Sequence, residues 1–375
     1  MTSDRTIETE VVIVGGGVAG CATALYLAQR DIPVVVLEKG MAGAQASGVN
    51  FGGVRQQGRL LPELPLALRS REIWPRLASI IGTDCEFVAS GHLKLARDDA
   101  DCEELAAYAV AARDYGLNLD VLDGDQTRRR FPWLSGAVAG GSLCPEDGQA
   151  NPRLVGPAFA RTARAAGADI REDTEVTGFA HDGERFELTT AGGHVVRTRR
   201  MLNCAGAWGG NVAAAFGEPV PLTTIAPQMV VTEPARHFIE PALGMCGAGI
   251  YLRQVARGNV VFGGGAGIAD TVTSRAYVLP EHTVAASTLA ASLIPRLANL
   301  QIIRVWTGIE GAMADDLPVI GPSLTTPGLW HAFGFSGHGF QLGPVMGDIL
   351  GELLTTGETS SPIDAFRIDR FADAA

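Results

Sequence analysis

The sequence predicts an α/β (α+β) protein in which a parallel-sheet domain, assembled from separate segments, is interleaved with a mostly antiparallel β domain. Its 375 residues are 46% hydrophobic, which is enough to bury a large core and to form two domains. Residues 11–38 follow the order strand, glycine turn, helix, strand and acid, and short buried strands return after residues 150 and 300. Between these returns, residues 219–265 are rich in short strands broken by Pro and Gly, as is typical of antiparallel sheets.

The first segment has the spacing of a dinucleotide-binding βαβ unit. Apolar residues 11–14 predict a buried strand that ends in a G-x-G-x-x-G turn at Gly15, Gly17 and Gly20, and a helix is expected over 19–30. The first glycine allows the tight turn, the second lets a pyrophosphate approach the backbone, and the third lets the helix pack closely on the strand. The N–H groups at the start of the helix would hold the phosphates.

The acid that closes this unit indicates which dinucleotide is bound. A second buried strand is expected over 34–37, and Glu38 follows it, 38 − 20 = 18 residues beyond Gly20. A carboxylate at this distance accepts both hydroxyls of an adenosine ribose and repels a 2′-phosphate, so NADP is not expected. The glycine- and alanine-rich loop 40–58 comes next. We expect it to pass close to the ligand, although a flexible surface loop has the same composition.

Composition and charge argue against several classes of function. The net charge of −11 and a pI near 5.1 argue against a nucleic-acid partner, and they mean that local cations must hold any anionic substrate. The six cysteines show no C-x-x-C pair and no metal-ligand spacing, so no metal is expected. No room for a signal peptide precedes the first strand, and no run of about 18 apolar residues occurs, so we expect a soluble, cytoplasmic protein.

The remaining elements are predicted from apolar periodicity and from Gly and Pro breaks. A turn at 336–339 should lead through Pro344 into the last helix. Residues 168–176 and 186–188 are expected as further strands of the nucleotide-binding sheet. The other expected strands are 84–96, 199–206, 304–308 and 330–334. The expected helices are 60–81, 98–115, 154–166, 280–300 and 345–354.

The nucleotide-binding elements are therefore discontinuous in the chain. They occupy roughly residues 1–85, 150–220 and 300–375, and residues 86–149 and 221–299 are expected to form the substrate-binding domain. A nicotinamide-dependent dehydrogenase usually keeps its Rossmann half together, so this interleaving favours a flavoprotein.

The chain resembles the D-amino-acid oxidase superfamily, and within it glycine oxidase and its secondary-amine relatives. The resemblance covers nearly the whole length, and the full ordered set of motifs is specific even though the first motif is generic. It implies a discontinuous Rossmann-like FAD-binding domain with an interleaved, mostly antiparallel β substrate domain. The motifs are GGGVAG at 15–20, Glu38, ASG at 46–48, NCAGAW at 203–208, Gly263-Gly264, LPVIGPS at 317–323, GHGFQLGP at 337–344 and AFRIDR at 365–370.

The resemblance implies FAD as the cofactor, and non-covalent attachment, since no cysteine follows the return at 306–316. The helix opening near Pro344 would aim its positive end at the flavin C2 carbonyl, where the reduced ring carries negative charge. The implied cofactor-binding residues are Gly15, Gly17, Val18, Ala19, Gly20, Glu38, Lys39, Ser47, Gly52, Gly53, Val176, Ala205, Gly206, Trp208, Gly308, Gly337, His338, Gly339, Phe340 and Gln341.

The chain departs from the glycine oxidase pattern at the substrate carboxylate. Glycine oxidases carry an arginine just after W-x-G, whereas the W-x-G of 306–308 is followed here by Ile309 and Glu310, and a second family arginine aligns with 337–338. The usual carboxylate clamp is therefore missing, and glycine is a doubtful substrate. In this respect, and in GVRQQGR at 53–59, the chain is more similar to opine oxidase and hydroxyproline dehydrogenase subunits. It is also similar to oxidases of N-carboxymethyl amino acids in macrolactam pathways.

Four residues are the candidates for contact with the substrate. A carboxylate beside flavin needs a cation, and arginine suits it best, which points either to Arg55 in the flavin loop or to Arg253. Strand alternation places Arg253 on the same face as Tyr251, which stands where the family has a pocket tyrosine. His338 either bonds the substrate or flavin or is structural. Glu310 is the further alternative: it caps a helix, pairs with an arginine or binds the substrate amine.

The resemblance implies oxidation of the C–N bond of a secondary amino acid that carries a carboxylate, with loss of an N-carboxymethyl arm as glyoxylate as one version. Hydride passes to flavin N5, water hydrolyses the imine, and O2 is reduced to H2O2. The alternative is the catalytic subunit of an amino acid, opine or hydroxyproline dehydrogenase that passes electrons to a partner or a quinone. A third interpretation is a protein whose FAD is only structural or sensory. Neither nucleic acid nor a membrane span is expected, and a homo-oligomer is compatible with the sequence.

Overall fold

The structure is a computed structural model that describes residues 6–374, and within this range no helix is both long and apolar enough to cross a lipid bilayer. The helices, in chain order, are α1 (Val18–Ala28), α2 (Ala46–Val49), α3 (Leu64–Ile73), α4 (Leu77–Ile81), α5 (Asp99–Arg113), α6 (Gly124–Arg130), α7 (Pro152–Ala165), α8 (Gly209–Ala215), α9 (Pro280–Leu293) and α10 (Gly339–Thr356). The strands are β1 (Thr6–Glu8), β2 (Val11–Val14), β3 (Val34–Leu37), β4 (Gly53–Val54), β5 (His92–Ala96), β6 (Asp120–Asp123), β7 (Gly140–Cys144), β8 (Gly148–Gln149), β9 (Asp169–Arg171), β10 (Val176–His181), β11 (Phe186–Thr190), β12 (Val195–Thr198), β13 (Arg200–Asn203), β14 (Leu222–Ile225), β15 (Pro227–Pro234), β16 (Ala242–Met245), β17 (Tyr251–Gln254), β18 (Asn259–Ala266), β19 (Ile268–Asp270), β20 (Arg275–Tyr277), β21 (Ile302–Thr307), β22 (Glu310–Met313), β23 (Val319–Pro322) and β24 (Leu329–Phe333).

A six-stranded sheet in the order β23-β24-β13-β2-β3-β9 contains the predicted N-terminal unit. Its strands run parallel except for the β23–β24 pair. The expected strands 11–14 and 34–37 are confirmed, and every residue of both is buried. The odd-numbered residues of β2 pack with α1, α7 and α10, and the even-numbered ones pack against the four-stranded sheet β1-β12-β11-β10. Both faces of the strands are covered, which is why they are continuously apolar.

A second sheet of eight strands has the order β21-β15-β18-β17-β16-β5-β7-β6. Its strands pair antiparallel except for β16 and β5, which run parallel, and its apolar residues pack against α9. The predicted α/β (α+β) class with a mostly antiparallel β part is thus confirmed. The domain boundaries stay a prediction. Strand β21, residues Ile302–Thr307, pairs with β15 in this sheet although it lies beyond residue 300.

Three of the expected strands differ in the structure. Residues 186–188, expected in the nucleotide-binding sheet, lie in β11 of the four-stranded sheet, because the short turn after β10 makes the two strands pair antiparallel. Of the expected strand 168–176, only Asp169–Arg171 joins the six-stranded sheet. The expected strand 84–96 is regular only over His92–Ala96.

The last helix begins earlier than expected. We place its start near Pro344 from the sequence, because Pro favours the first turn of a helix, but α10 begins at Gly339 and Pro344 lies inside it. Near Pro344 the helix packs tightly on α1: a Cβ on Gly347 would lie 2.8 Å from the carbonyl oxygen of Ala22. The earlier start places the N-terminus of α10 directly after the glycine turn at 336–339.

Candidate active site

One large cavity lies between the two main sheets. Its volume is about 850 Å³, and it extends from the carboxyl ends of β2 and β3 to the face of the eight-stranded sheet, where β5, β15, β16 and β17 line it. A cleft at the carboxyl edge of a parallel sheet is the usual position of a nucleotide site. The volume falls in the range of cavities that enclose ligands of cofactor size.

The glycine turn after β2 forms one end of the cavity. Gly15 has φ of 107°, which a residue with a Cβ rarely adopts, and Gly17 occupies the N-cap position of α1 without any side-chain cap. A Cβ on Gly17 would lie 3.1 Å from Oγ of Ser47, and that Oγ accepts a hydrogen bond from the N–H of Val18 at 3.0 Å. The start of α1 is thus bare backbone with a hydroxyl beside it, which suits a pyrophosphate.

Glu38 is fixed at the same end of the cavity. One carboxylate oxygen accepts the N–H of Gly16 at 2.7 Å, and the other accepts the N–H of Gly40 at 2.8 Å. The neighbouring Lys39 lies over the ring of Trp208, with its Nζ 3.0 Å from the ring centroid. A carboxylate held in this way, at the end of the second strand, is oriented to accept hydroxyl groups of a ribose.

The structure brings most of the expected cofactor residues together around this cavity. Gly308 and Gln341 do not line it. Gly308 packs against the side chain of Val49, and Gln341 is fully buried and donates from Nε2 to the carbonyl oxygen of Ala67 at 2.9 Å. The residues that do line it are Gly15, Gly17, Val18, Ala19, Gly20, Glu38, Lys39, Ser47, Gly52, Gly53, Val176, Ala205, Gly206, Trp208, Gly337, His338, Gly339 and Phe340.

A pair of arginines forms one wall at the other end. Arg55 and Arg59 both line the cavity, and Nε of Arg59 donates to the carbonyl oxygen of Arg55 at 3.2 Å. The buried carboxylate of Asp147 fixes their loop, since it accepts the N–H groups of Gln56 and Gln57 at 2.7 and 3.0 Å. Because a polar anchor holds the loop from behind, the two guanidinium groups face the cavity rather than bulk solvent.

These two arginines carry charge that the protein itself does not fully balance. Burial and the adjacent Arg55 lower the pKa of Arg59 to about 9, and burial also lowers the pKa of Arg55, which Asp147 and Glu63 partly offset. Nη1 of Arg59 is buried and has no hydrogen-bond partner among residues 6–374. Two guanidinium groups that line a cavity and form no ion pair within residues 6–374 favour an anionic ligand.

His338 lies at the start of α10 and lines the cavity. Its Nδ1 lies 2.8 Å from the carboxylate of Glu63, which is fully buried. Burial and the nearby Arg59 lower the pKa of His338 to about 4, so the imidazole is neutral and donates from Nδ1. Burial acts to raise the pKa of Glu63, yet its hydrogen bond with His338 and the nearby charge of Arg59 hold that pKa below its usual range. His338 therefore presents its Nε2 as an acceptor.

Tyr251 and Glu310 also line the cavity. The hydroxyl of Tyr251 donates to the carbonyl oxygen of Gln228 at 3.1 Å, and burial raises its pKa, so it stays a phenol. One oxygen of Glu310 accepts the N–H of Gly337 at 2.8 Å, and burial raises the pKa of Glu310 to about 7. The cavity is thus lined by cations and also by a carboxylate and a phenol.

Arg253 does not line the cavity. Its Nη1 donates to the carbonyl oxygen of Ala150 at 2.9 Å and to Oε1 of Gln149 at 3.2 Å, and it lies against Gly52. Strand alternation places Arg253 on the same side as Tyr251, but the backbone of Ala150 and Gly52 covers it. Arg253 therefore supports the glycine-rich loop 40–58, which contains Gly52.

The sequence did not predict Arg59, Glu63, His92 and Lys94 as site residues, yet three of them line the cavity and Glu63 holds His338 in place. Arg59 stands in the same GVRQQGR motif as Arg55, and a second cation four residues away is the signal that would have indicated it. His92 and Lys94 alternate along β5, which sequence reasoning treated only as a half-buried strand. Burial, Arg55 and Lys94 lower the pKa of His92 well below its usual range.

Comparisons with known proteins agree with this geometry. A family model described as FAD dependent oxidoreductase (DAO) matches residues 10–353. Glycine oxidase of Geobacillus kaustophilus is 28% identical over 378 residues, which cover 97% of this chain and 98% of the relative, and its crystal structure superposes with a TM-score of 0.91. An opine oxidase subunit of Rhizobium meliloti is 28% identical, and the match covers 97% of this chain and 98% of the relative. The crystal structure of L-proline dehydrogenase from P. horikoshii, 29% identical, gives a TM-score of 0.90 and covers 98% of this chain and 99% of its own.

Proposed function

The chain belongs to the DAO family of FAD dependent oxidoreductases, and we propose that it oxidises the carbon–nitrogen bond of a secondary amino acid. The observation that carries the proposal is the arginine pair Arg55 and Arg59, which lines the cavity. Since the chain carries a net charge of −11, an anionic substrate needs local cations of this kind.

The residues at the glycine-turn end fit FAD. The uncapped start of α1 with Ser47 would hold the pyrophosphate, and the doubly bonded Glu38 would hold the ribose. The loop at Gly52 and the N-terminus of α10 also line the cavity, and we assign the flavin ring to this part of it. An N-terminus there favours negative charge on a bound ring. When bound, FAD supplies a two-electron acceptor for a hydride.

The substrate half of the cavity orients an amino acid. We assign the carboxylate to Arg55, with Arg59 adjacent, because Arg55 lines the cavity and Arg253 does not. A carboxylate fixed by two guanidinium groups restricts the position of the carbon beside the nitrogen, and positioning of this kind supplies much of the rate. Water then hydrolyses the imine product to a carbonyl compound and an amine.

The names of the relatives narrow the substrate class. Opines and proline are secondary amines, whereas glycine is a primary amine, and each has a carboxylate beside the reacting carbon. Lys94 lines the cavity near the arginine pair and offers a third cation. These cations are therefore sufficient to bind a second carboxylate, such as the one on an N-carboxymethyl arm. For the electron acceptor we propose O2, with H2O2 as the product.

The test is anaerobic mixing of the FAD-loaded protein with glycine, sarcosine, proline, iminodiacetate and an opine, followed by the flavin absorbance. Bleaching by one or more secondary amines supports the proposal, and faster bleaching by iminodiacetate than by sarcosine supports the second carboxylate. If dithionite bleaches the flavin and none of the amines does, the proposal is wrong. Admission of air then separates an oxidase, in which colour returns at once, from a dehydrogenase that needs another acceptor.

A further inference from the structure

Glu310 is an acidic side chain that lines the same cavity as the arginine pair. It is the first residue of β22, and its partner across the strand pair is Ile225 of β14. Its side chain is partly buried. A carboxylate in such a position is costly to ionise unless something in the cavity compensates it.

Within residues 6–374, the protein gives this carboxylate little compensation. It accepts one hydrogen bond, from the N–H of Gly337 to Oε1, and no cation lies within salt-bridge distance. The titratable groups that face it are Tyr251 on β17 and Arg59 on the loop after β4. His338, next to Gly337, is directed to Glu63 instead. Oε2 of Glu310 is thus left for a ligand.

A secondary amino acid brings the complementary group. Its nitrogen is an ammonium in neutral water, since aliphatic amines have a pKa of about 10. Hydride departure from the adjacent carbon needs the nitrogen lone pair to form the imine, so this proton must first leave. With the carboxylate at Arg55, we expect the nitrogen to lie within the same cavity, which Glu310 also lines.

We propose that Glu310 accepts the proton of the substrate ammonium, an inference that rests on the amine-oxidising function proposed above. One N–H bond of the ammonium breaks and an O–H bond forms on Oε2, so that an ion pair becomes a neutral amine and a neutral carboxylic acid. No oxidant or further reactant is needed for this step. Glu310 thereby selects the ammonium form from solution and converts it into the reactive form in place.

The acid–base properties of Glu310 match this role. Burial raises its pKa to about 7, whereas an ordinary glutamate has a pKa near 4.5. It is therefore about half ionised at pH 7 and ionised above it, and it is more basic than an exposed carboxylate by more than two powers of ten. The charge of Arg59 lowers this pKa, but burial outweighs it.

The pH dependence of kcat/KM for flavin reduction tests the inference. In the wild type, kcat/KM should be level above pH 7 and fall about tenfold per unit below it, because a protonated Glu310 cannot accept the proton. In Glu310→Gln, only the neutral fraction of the amine can react, roughly one part in 10³ at pH 7 for a pKa of about 10. We expect kcat/KM to fall by about 10² to 10³-fold at pH 7 and to rise tenfold per unit toward pH 10. Glu310→Asp should keep the fall in kcat/KM at low pH, because it retains a carboxylate. Glu184→Gln changes an exposed glutamate and should match the wild type.

A second measurement does not depend on turnover. The carboxylate has a higher pKa in the folded protein than in the unfolded chain, so its contribution to stability is complete below about pH 4.5 and is lost as the pH rises through about 7. The melting temperature of Glu310→Gln minus that of the wild type should therefore increase from pH 5 to pH 8, with FAD bound to both.

The outcomes separate this inference from the proposed function. If amines reduce the wild-type flavin and Glu310→Gln gives a pH profile parallel to that of the wild type, the proton-acceptor role is wrong while amine oxidation stands. If no amine reduces the wild-type flavin, the proposed function itself fails. If Glu310→Gln loses FAD, Glu310→Asp takes its place in the comparison. A Glu310→Asp variant whose kcat/KM does not fall below pH 7 would then overturn the inference.

Discussion

At the scale of single residues, the site differs from the sequence-based expectation in what each arginine contacts. Arg55 and Arg253 are equivalent candidates in the sequence, since both are cations among apolar or small residues. The structure directs Arg55 into the cavity and places Arg253 against the carbonyl oxygen of Ala150. Long-range contacts with residue 150 decide this, and nothing local to Arg253 indicates them.

Removal of the guanidinium of Arg55 should weaken substrate binding. We expect Arg55→Ala to raise KM by about 10²-fold, because a charge-assisted bidentate pair contributes roughly 2–3 kcal/mol, and to leave the FAD content unchanged. Arg55→Lys should recover part of this loss. Steady-state kinetics with the best amine of the panel, together with the flavin-to-protein absorbance ratio, measures both. An unchanged KM in Arg55→Ala would exclude it as the carboxylate anchor.

Removal of the guanidinium of Arg253 should act on stability instead. Arg253→Ala leaves the buried carbonyl oxygen of Ala150 and Oε1 of Gln149 without this donor, which costs about 2–4 kcal/mol in the free energy of unfolding. We expect a lower urea midpoint and weaker FAD retention, with KM of the FAD-loaded fraction within about twofold of the wild type. A selective rise in KM at unchanged stability would instead make Arg253 a substrate residue.

At the scale of elements, the sequence predicts strands and helices well where hydrophobic periodicity is strong. Strands β2 and β3 and helices α1 and α5 lie within a few residues of the expected bounds. The sequence does not predict which strands pair when the partner strands are far apart in the chain. The antiparallel pairing of β11 with β10 depends on the length of the turn between them. The pairing of β21 with β15 depends on residues far along the chain. The start of α10 is misplaced because Pro344 is tolerated inside a helix whose neighbours hold it.

Close packing between α1 and α10 sets the position of both helix N-termini at the cavity. A Cβ on Gly347 would lie 2.8 Å from the carbonyl oxygen of Ala22, and backbone cannot move away as a side chain can. We expect Gly347→Val to cost about 2 kcal/mol or more by overpacking, and to weaken FAD binding because the two helix starts separate. Gly136→Val is the matched control, since nothing lies within 4 Å of a Cβ there. Urea unfolding and FAD titration measure the two effects, and equal values for both variants would contradict this role of the helix contact.

At the scale of the whole molecule, function follows from the interleaving of two sheets around one cavity. The glycine-turn end belongs to the six-stranded sheet, and the walls with Tyr251, His92 and Lys94 belong to the eight-stranded sheet. The order of chain segments was predictable from returning strands. The charge distribution across the cavity was not, because Arg59, His338 and Glu310 are distant in sequence and become neighbours only through the loop after β4 and the turn before α10.

A cofactor that contacts both sheets should stabilise the whole fold. The nucleotide half and the flavin half of FAD should each contribute to this stabilisation and can be measured separately. A ligand that binds only the folded state raises stability by RT ln(1 + [L]/Kd), so FAD added to the apoprotein should raise the melting temperature progressively with concentration. ADP carries the ribose and pyrophosphate without the flavin and should give a smaller rise at equal concentration. Glu38→Ala, which removes the carboxylate fixed by Gly16 and Gly40, should shift both titrations to higher concentration by about tenfold or more. Arg55→Ala should leave both titrations unchanged, since it lies at the substrate end. If Arg55→Ala shifted the ADP titration as much as Glu38→Ala does, the assignment of Glu38 to the ribose would be wrong.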